Sequence, residues 1–242
     1  MERIIKGALA FTRGGRQDFL KHIKTNYKPL GILLSCVDAR VYPSKILGAN
    51  PGELYVVRNA GNFVPENGAG EAGTILSTLE LGCLRGSVKD IIICGHSDCK
   101  AMHLLQSFGS EAENHKSDKN SASPLQKWVS QNGIKGWNKW RAKSDSIEFP
   151  AMKDHLTLNM HADQVKKLEP VDVLSQINVL QQMSNIYSYP LLSQKLMENE
   201  VRVHGLWFDI HTGQMYQFSR NKQAFLPINE ETLSELVRES SS

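Results

Sequence analysis

Three short apolar runs constrain this chain more than any other feature. Gly31 to Val37, Glu53 to Arg58 and Asp90 to Cys94 read as buried strands, and the segments between them carry helical spacing. Strands that alternate with helices pair in parallel, because a parallel neighbour is reached only through a crossover, usually a helix. The predicted fold is therefore α/β with a parallel sheet, and in such sheets sites form outside the carboxyl ends of the strands.

Two polar blocks stand at that edge. Ser35-Cys36-Val37-Asp38-Ala39-Arg40 closes the first run, and Gly95-His96-Ser97-Asp98-Cys99-Lys100 closes the third. Cys36, His96 and Cys99 supply two thiolates and an imidazole, enough to hold one zinc ion per chain. Three protein ligands leave the fourth tetrahedral position to an exchangeable oxygen, which is how zinc is arranged for catalysis. Asp38 and Arg40, two residues apart, would be a solvated ion pair on an ordinary surface. Beside a metal, the arginine fork can hold Asp38 away from the ion and free that position for water.

The remaining candidates are weaker. Cys83 and Cys94 read as small buried hydrophobes. His103, His155, His161, His204 and His211 have no matching partners in the sequence and read as surface or structural residues, with His103 set apart because it lies one helical turn beyond Cys99. Rival chemistries lack their motifs. Arg40 follows Cys36 too closely for a phosphatase or rhodanese loop, the His-Xaa-Glu and Pro-Cys-Xaa-Xaa-Cys of zinc deaminases are missing, and Gly61, Gly68, Gly70 and Gly73 make neither a dinucleotide fingerprint nor a Walker loop.

Along the rest of the chain, Ile4, Ile5, Ala8 and Leu9 predict an N-terminal helical arm over 1–24 that Gly14 and Gly15 interrupt or end. A short helix is expected from Pro43 to Leu47 and a Gly-rich loop from Gly61 to Gly70. A helix carrying Ala72, Ile75, Leu76 and Leu79 should end at Gly82, and another should run from Cys99 to Gln106. Ser107 to Ser123 reads as a surface loop, and Trp128, Trp137 and Trp140 mark a stretch that packs on something. A long helix through Val173, Ile177, Leu180 and Met183 stops near Pro190. A strand pair, Val201 to Ile210 and Met215 to Ser219, and a helix after Pro227 complete a single domain over 1–242.

With 242 residues, the chain can bury a sizeable core without disulfides. Four cysteines and no opening apolar h-region suggest an intracellular, reducing setting, cytoplasmic or mitochondrial rather than secreted; Glu2 and Asp18 weigh against a cleaved transit peptide. A net charge of +3 with dispersed Lys and Arg demands no nucleic-acid partner, and no apolar run approaches the roughly 20 residues of a membrane span.

At its two blocks the chain resembles the β-class carbonic anhydrases, and so it does in Val57-Arg58-Asn59-Ala60-Gly61-Asn62, in Glu80-Leu81-Gly82, in 174–182 and in 206–210, where it is most similar to the animal members. The resemblance implies a mostly parallel central β-sheet flanked by helices, zinc on Cys36, His96 and Cys99, and an Asp38–Arg40 catalytic dyad. It implies reversible hydration of carbon dioxide to bicarbonate and a proton, with zinc-bound hydroxide as nucleophile. It further implies a homodimer or dimer of dimers in which the N-terminal helix embraces the partner. Ala39 and Lys100 depart from the frequent Ser and Gly of the family blocks. Asp38 would reach the zinc only in a closed form, which some bacterial relatives adopt with bicarbonate bound beside a Trp; Leu33 stands at that position here, although Arg58 matches the accompanying Arg. A catalytically silent zinc scaffold would not need Asp38 and Arg40, whereas a hydrolase of carbon disulfide or carbonyl sulfide would share the metal site.

Overall fold

The computed structural model describes residues 1–23, 28–68, 72–113, 122–152, 156–161 and 168–241. Two helices open the chain, α1 (Glu2–Ala10) and α2 (Arg16–Ile23), joined by a π turn at Phe11–Gly15. The glycine pair therefore widens the helix rather than ending it. Then come β1 (Gly31–Cys36), α3 (Pro43–Ile46), β2 (Leu54–Asn59), α4 (Gly73–Leu79), β3 (Asp90–His96), α5 (Lys100–Glu113) and α6 (Pro124–Arg141). The chain closes with β4 (Ser146–Met152), β5 (Leu156–His161), α7 (Pro170–Tyr187), α8 (Ser193–Met197), β6 (Arg202–Phe208), β7 (Met215–Ser219), β8 (Ala224–Pro227) and α9 (Leu233–Ser241).

Six strands form one sheet in the order β2-β1-β3-β6-β7-β8. β2, β1, β3 and β6 are mutually parallel, and β7 and β8 add antiparallel at one edge. The expected mostly parallel sheet is present. From β1 the chain passes to β2 on one side, and β3 then takes the other side, so the order of connection reverses between β1 and β3. Such a switch point leaves a crevice at the carboxyl ends of the two strands.

One face of the sheet presents Ile32, Leu34, Ile91, Ile93, Val203 and Trp207 to α4 and α7. Helix α7 is buried almost all round, carrying Ile177, Leu180, Met183 and Ile186 into this core. It lies close to β3 because Gly95 has no side chain: a Cβ there would stand 2.6 Å from Val179 Cγ2. A second cluster, with Phe63, Met102, Leu105, Val129 and Trp137, encloses Cys36 and Cys99. The expected packing role of the tryptophans appears here, with Trp137 stacked on Trp140 at 4.8 Å and Trp128 edge-on to Phe63.

Several expected boundaries move. The helix containing Leu79 continues past Gly82 through a π segment, Glu80–Arg85. Gly82 is a packing position, since a Cβ there would meet Ile32 Cδ1 at 2.7 Å. Helix α5 extends to Glu113, into the expected loop, because Gln106, Glu111, Ala112 and Glu113 are good helix formers that outweigh Ser107 and Gly109. The rest of that loop through residue 121 lies outside the described residues, as do Gly70, His155 and Lys24. Helix α6 begins at the end of the expected loop, where Ser123 and Gln126 form a capping box ahead of Pro124. The β4–β5 hairpin and strand β8 were not predicted. In β4 the buried Ile147, Phe149 and Ala151 alternate, but Pro150 interrupts the pattern and the pairing register shifts there.

Candidate metal centre

Cys36 is the last residue of β1 and His96 the last of β3, so the switch point brings both to one crevice; Cys99 joins them from the turn before α5. The three ligand atoms lie within 4.8 Å of one another, and all three residues are buried. The two sulfurs, 63 residues apart in sequence, are 3.9 Å apart. Zinc–sulfur bonds of about 2.3 Å at a tetrahedral angle place two sulfurs roughly 3.8 Å apart, so the spacing suits zinc.

The imidazole supplies an independent test of fit. The Ser97 carbonyl accepts from His96 Nδ1–H at 2.8 Å, which leaves the lone pair on Nε2. Nε2 is buried and has no hydrogen-bond partner. A buried orphan acceptor costs free energy unless a partner completes it, and a cation between the two sulfurs would do so. The sulfurs are prepared for the same role. The hydrogen bond between the two thiols, with help from the Gly61 amide, lowers the Cys36 pKa despite burial. Cys99 holds its proton correspondingly more tightly. Cys83 and Cys94 are buried, as expected, and burial pushes their thiols up to about 11 and about 12.

Asp38 and Arg40 stand at the rim of the triad. Arg40 Nε donates to Asp38 Oδ1 at 3.0 Å and Nη2 to Oδ2 at 2.8 Å, and the Arg40 amide adds a third bond at 2.9 Å. These hydrogen bonds, against the effect of burial, hold the Asp38 carboxyl well below the usual carboxylate range, and Arg40 is pushed upward in return. Asp38 is not among the grouped ligand atoms. Ala39, where a family hydroxyl is missing, is exposed, and so is Lys100 at the start of α5.

Residues whose part in the site was not predicted also hold the triad in place. Arg58 on β2 donates to the carbonyls of Cys36, Asp38 and Val41 at 2.8–2.9 Å, tying down the loop after β1. The Gly61 amide points at Cys36 Sγ, 3.5 Å away, with Gly61 at a φ of +86°. A Cβ on Gly61 would sit 2.5 Å from the Phe63 ring. Helix α7 secures this loop with a row of buried amides: Asn178 donates to Gly61 O, Gln182 accepts from Val64 N and Asn185 donates to Val64 O. Ser175 donates to His96 O at 2.8 Å. The available signal was the recurrence of Asn178, Gln182 and Asn185 at helical spacing inside an otherwise apolar helix.

Of the other histidines, His103 donates to Asp98 and His204 to Asp90, and neither lies with the triad. His161 ends β5 and His211 lies in the turn before β7; His155 lies outside the described residues.

A parallel sheet that collects two thiols and an imidazole at its switch point defines an α/β protein whose sheet crevice holds a group able to bind a metal ion. The family described as carbonic anhydrase matches residues 31–215. Beta carbonic anhydrase 1 of Caenorhabditis elegans is 34% identical over 255 residues, covering 99% of this chain and 92% of that protein. Among solved structures, the β-carbonic anhydrase CcaA superposes with a TM-score of 0.72 at 24% identity, covering 95% of this chain and 92% of that one. A tetrameric β-carbonic anhydrase of Sordaria macrospora gives a TM-score of 0.61 at 20% identity, covering 90% of this chain and 93% of that one. The chain belongs to the β-class carbonic anhydrases and is an enzyme of that family.

Proposed function

We propose that the protein catalyses the reversible hydration of carbon dioxide to bicarbonate and a proton, with one zinc ion per chain on Cys36, His96 and Cys99. The observation that carries this reading is the Arg40 fork on Asp38 beside the triad, which a purely structural zinc site would not need. Zinc held there supplies Lewis acidity, lowering the pKa of water from 15.7 toward about 7 so that hydroxide is available as the nucleophile. The chain's own residues set the rest. Cys36 and Cys99 contribute thiolates, and the Ser97 carbonyl holds His96 in the tautomer that offers Nε2. Arg40 keeps Asp38 ionised and engaged, and Asp38 would serve as a hydrogen-bond acceptor that orients the nucleophile toward the substrate carbon.

The same reading gives a homodimer or dimer of dimers. The helical arm from Glu2 to Ile23 buries none of its residues within the chain and leaves Ile4, Ile5, Leu9, Phe11 and Phe19 exposed. Apolar helix faces of this kind need a surface to cover them, and a second copy supplies one. An intracellular site, cytoplasmic or mitochondrial, accords with four buried cysteines that are all free thiols. No described helix is long and apolar enough to cross a membrane. Stopped-flow hydration of carbon dioxide by zinc-loaded protein tests the proposal: catalysis far above the buffer rate is expected, and its absence at full zinc content would leave a silent metal scaffold.

A further inference from the structure

Arg40 does not serve Asp38 alone. Its Nη1 donates to Asp98 Oδ2 at 2.7 Å, and its Nη2 donates to the Asp98 carbonyl at 2.9 Å as well as to Asp38. Asp38 lies on the loop after β1 and Asp98 on the loop after β3, so one guanidinium joins the two segments that carry the metal donors. The Asp98 end is itself secured. His103 Nε2, on the first turn of α5, donates to Asp98 Oδ1 at 2.8 Å, and the Asp98 amide donates to Asp172 Oδ1 on α7 at 2.7 Å.

The backbone adds a separate observation. Asp98 has a φ of +49°, in the left-handed region that glycine adopts freely and other residues adopt at a cost. Strain of this kind persists where surrounding contacts over-determine it. Here the contacts are the two side-chain oxygens, on Arg40 and His103, together with the carbonyl on Arg40 and the amide on Asp172.

We propose that Asp98 is a positioning residue of this site: braced by His103, it holds Arg40 in the one orientation that also holds Asp38 away from the metal position. The inference rests on the dyad reading given above and extends it by two residues. The physical reason is competition. Arg40 is a long, partly exposed side chain, and freed of Asp98 it can rotate into water. The Asp38 carboxylate, negatively charged and next to a cation, would then have a second place to go. Asp98 and Asp38 bind the same guanidinium at once, so Asp98 biases that choice without touching the reacting atoms.

Asp98→Gly is the informative variant, because glycine accepts the positive φ while the change removes the side chain and its carboxylate and keeps the backbone contacts. In cobalt-substituted protein, thiocyanate competes for the open metal position. It should bind about fivefold more weakly to D98G than to the parent, since contacting residues in one network couple by this order. Metal content and near-ultraviolet circular dichroism should match the parent. Asp98→Asn, which keeps the side-chain shape and loses its charge, should fall between, and it carries the test if D98G folds poorly. A simple packing role for Asp98 would alter stability and leave thiocyanate affinity unmoved. Parent-like affinity in D98G and D98N, with Arg40→Ala clearly weakened, would overturn the role of Asp98 and leave the dyad standing. Parent-like affinity in Arg40→Ala as well would remove the dyad reading itself.

Discussion

Arg40 meets the Asp38 carboxylate as a two-pronged fork, Nε on Oδ1 at 3.0 Å and Nη2 on Oδ2 at 2.8 Å. Both oxygens are thereby engaged by one guanidinium. Arg40→Ala should keep its zinc and lose most hydration activity, by about 100-fold or more, because a freed carboxylate takes the open position. Asp38→Ala should also keep zinc, with less change in metal geometry and a large loss of rate. Stopped-flow kinetics with metal analysis read both; an Arg40→Ala protein at the parent rate would deny the dyad any catalytic part.

Cys36→Ser and Cys99→Ser should each fall well below one zinc per chain, because a hydroxyl replaces a thiolate poorly toward zinc. Metal analysis after dialysis checks this, and full zinc in either variant would sink the ligand assignment.

Removal of residues 1–23 should weaken assembly and activity together, since the arm buries nothing within its own chain. Light scattering should show the full chain well above the 27.1 kDa of one copy. A stable, active monomer would contradict the assembly reading.

Asp90 gives a pH prediction remote from the metal. Burial disfavours its charge, but hydrogen bonds from His204 and Arg202 prevail and keep it below the usual carboxylate range. A carboxyl lowered in the folded state contributes stability above its unfolded pKa of about 3.9, and loses it as pH falls through the folded value. Asp90→Asn should therefore lower the thermal midpoint at pH 7 by roughly 2–4 °C for each kcal/mol lost, with the difference from the parent shrinking below about pH 4. A difference independent of pH would show that charge is not the cause.

Gln182→Leu keeps the bulk of the side chain but strips the partner from the buried Val64 amide and from Asn178. Stability to urea should fall by about 1–3 kcal/mol. An unchanged midpoint would mean that the loop from Gly61 to Val64 does not depend on α7.

Five of the eight strands among the described residues, most helices and the three candidate metal-binding residues were legible in the sequence because each depends on local pattern: apolar runs of strand length, helical spacing, and polar blocks placed at strand ends. Asp38 and Arg40 were legible for the same reason, being two residues apart beside the first ligand. What lay beyond local pattern was decided by contacts distant in the chain. Pro150 disguised β4 as a non-strand, and only pairing with β5 and packing in the α7 core show its alternation as real. Gly82 looked like a helix stop until Ile32 was seen to occupy the space above it. The Asn178–Gln182–Asn185 row is the set of partners for a loop more than 100 residues earlier, which no local pattern shows. The sequence by itself determined which groups could bind the ion, because ligand chemistry belongs to residue types. Only the tertiary structure decided that they would meet, because the sheet order places β1 beside β3 and closes Cys36 on Cys99 across 63 residues.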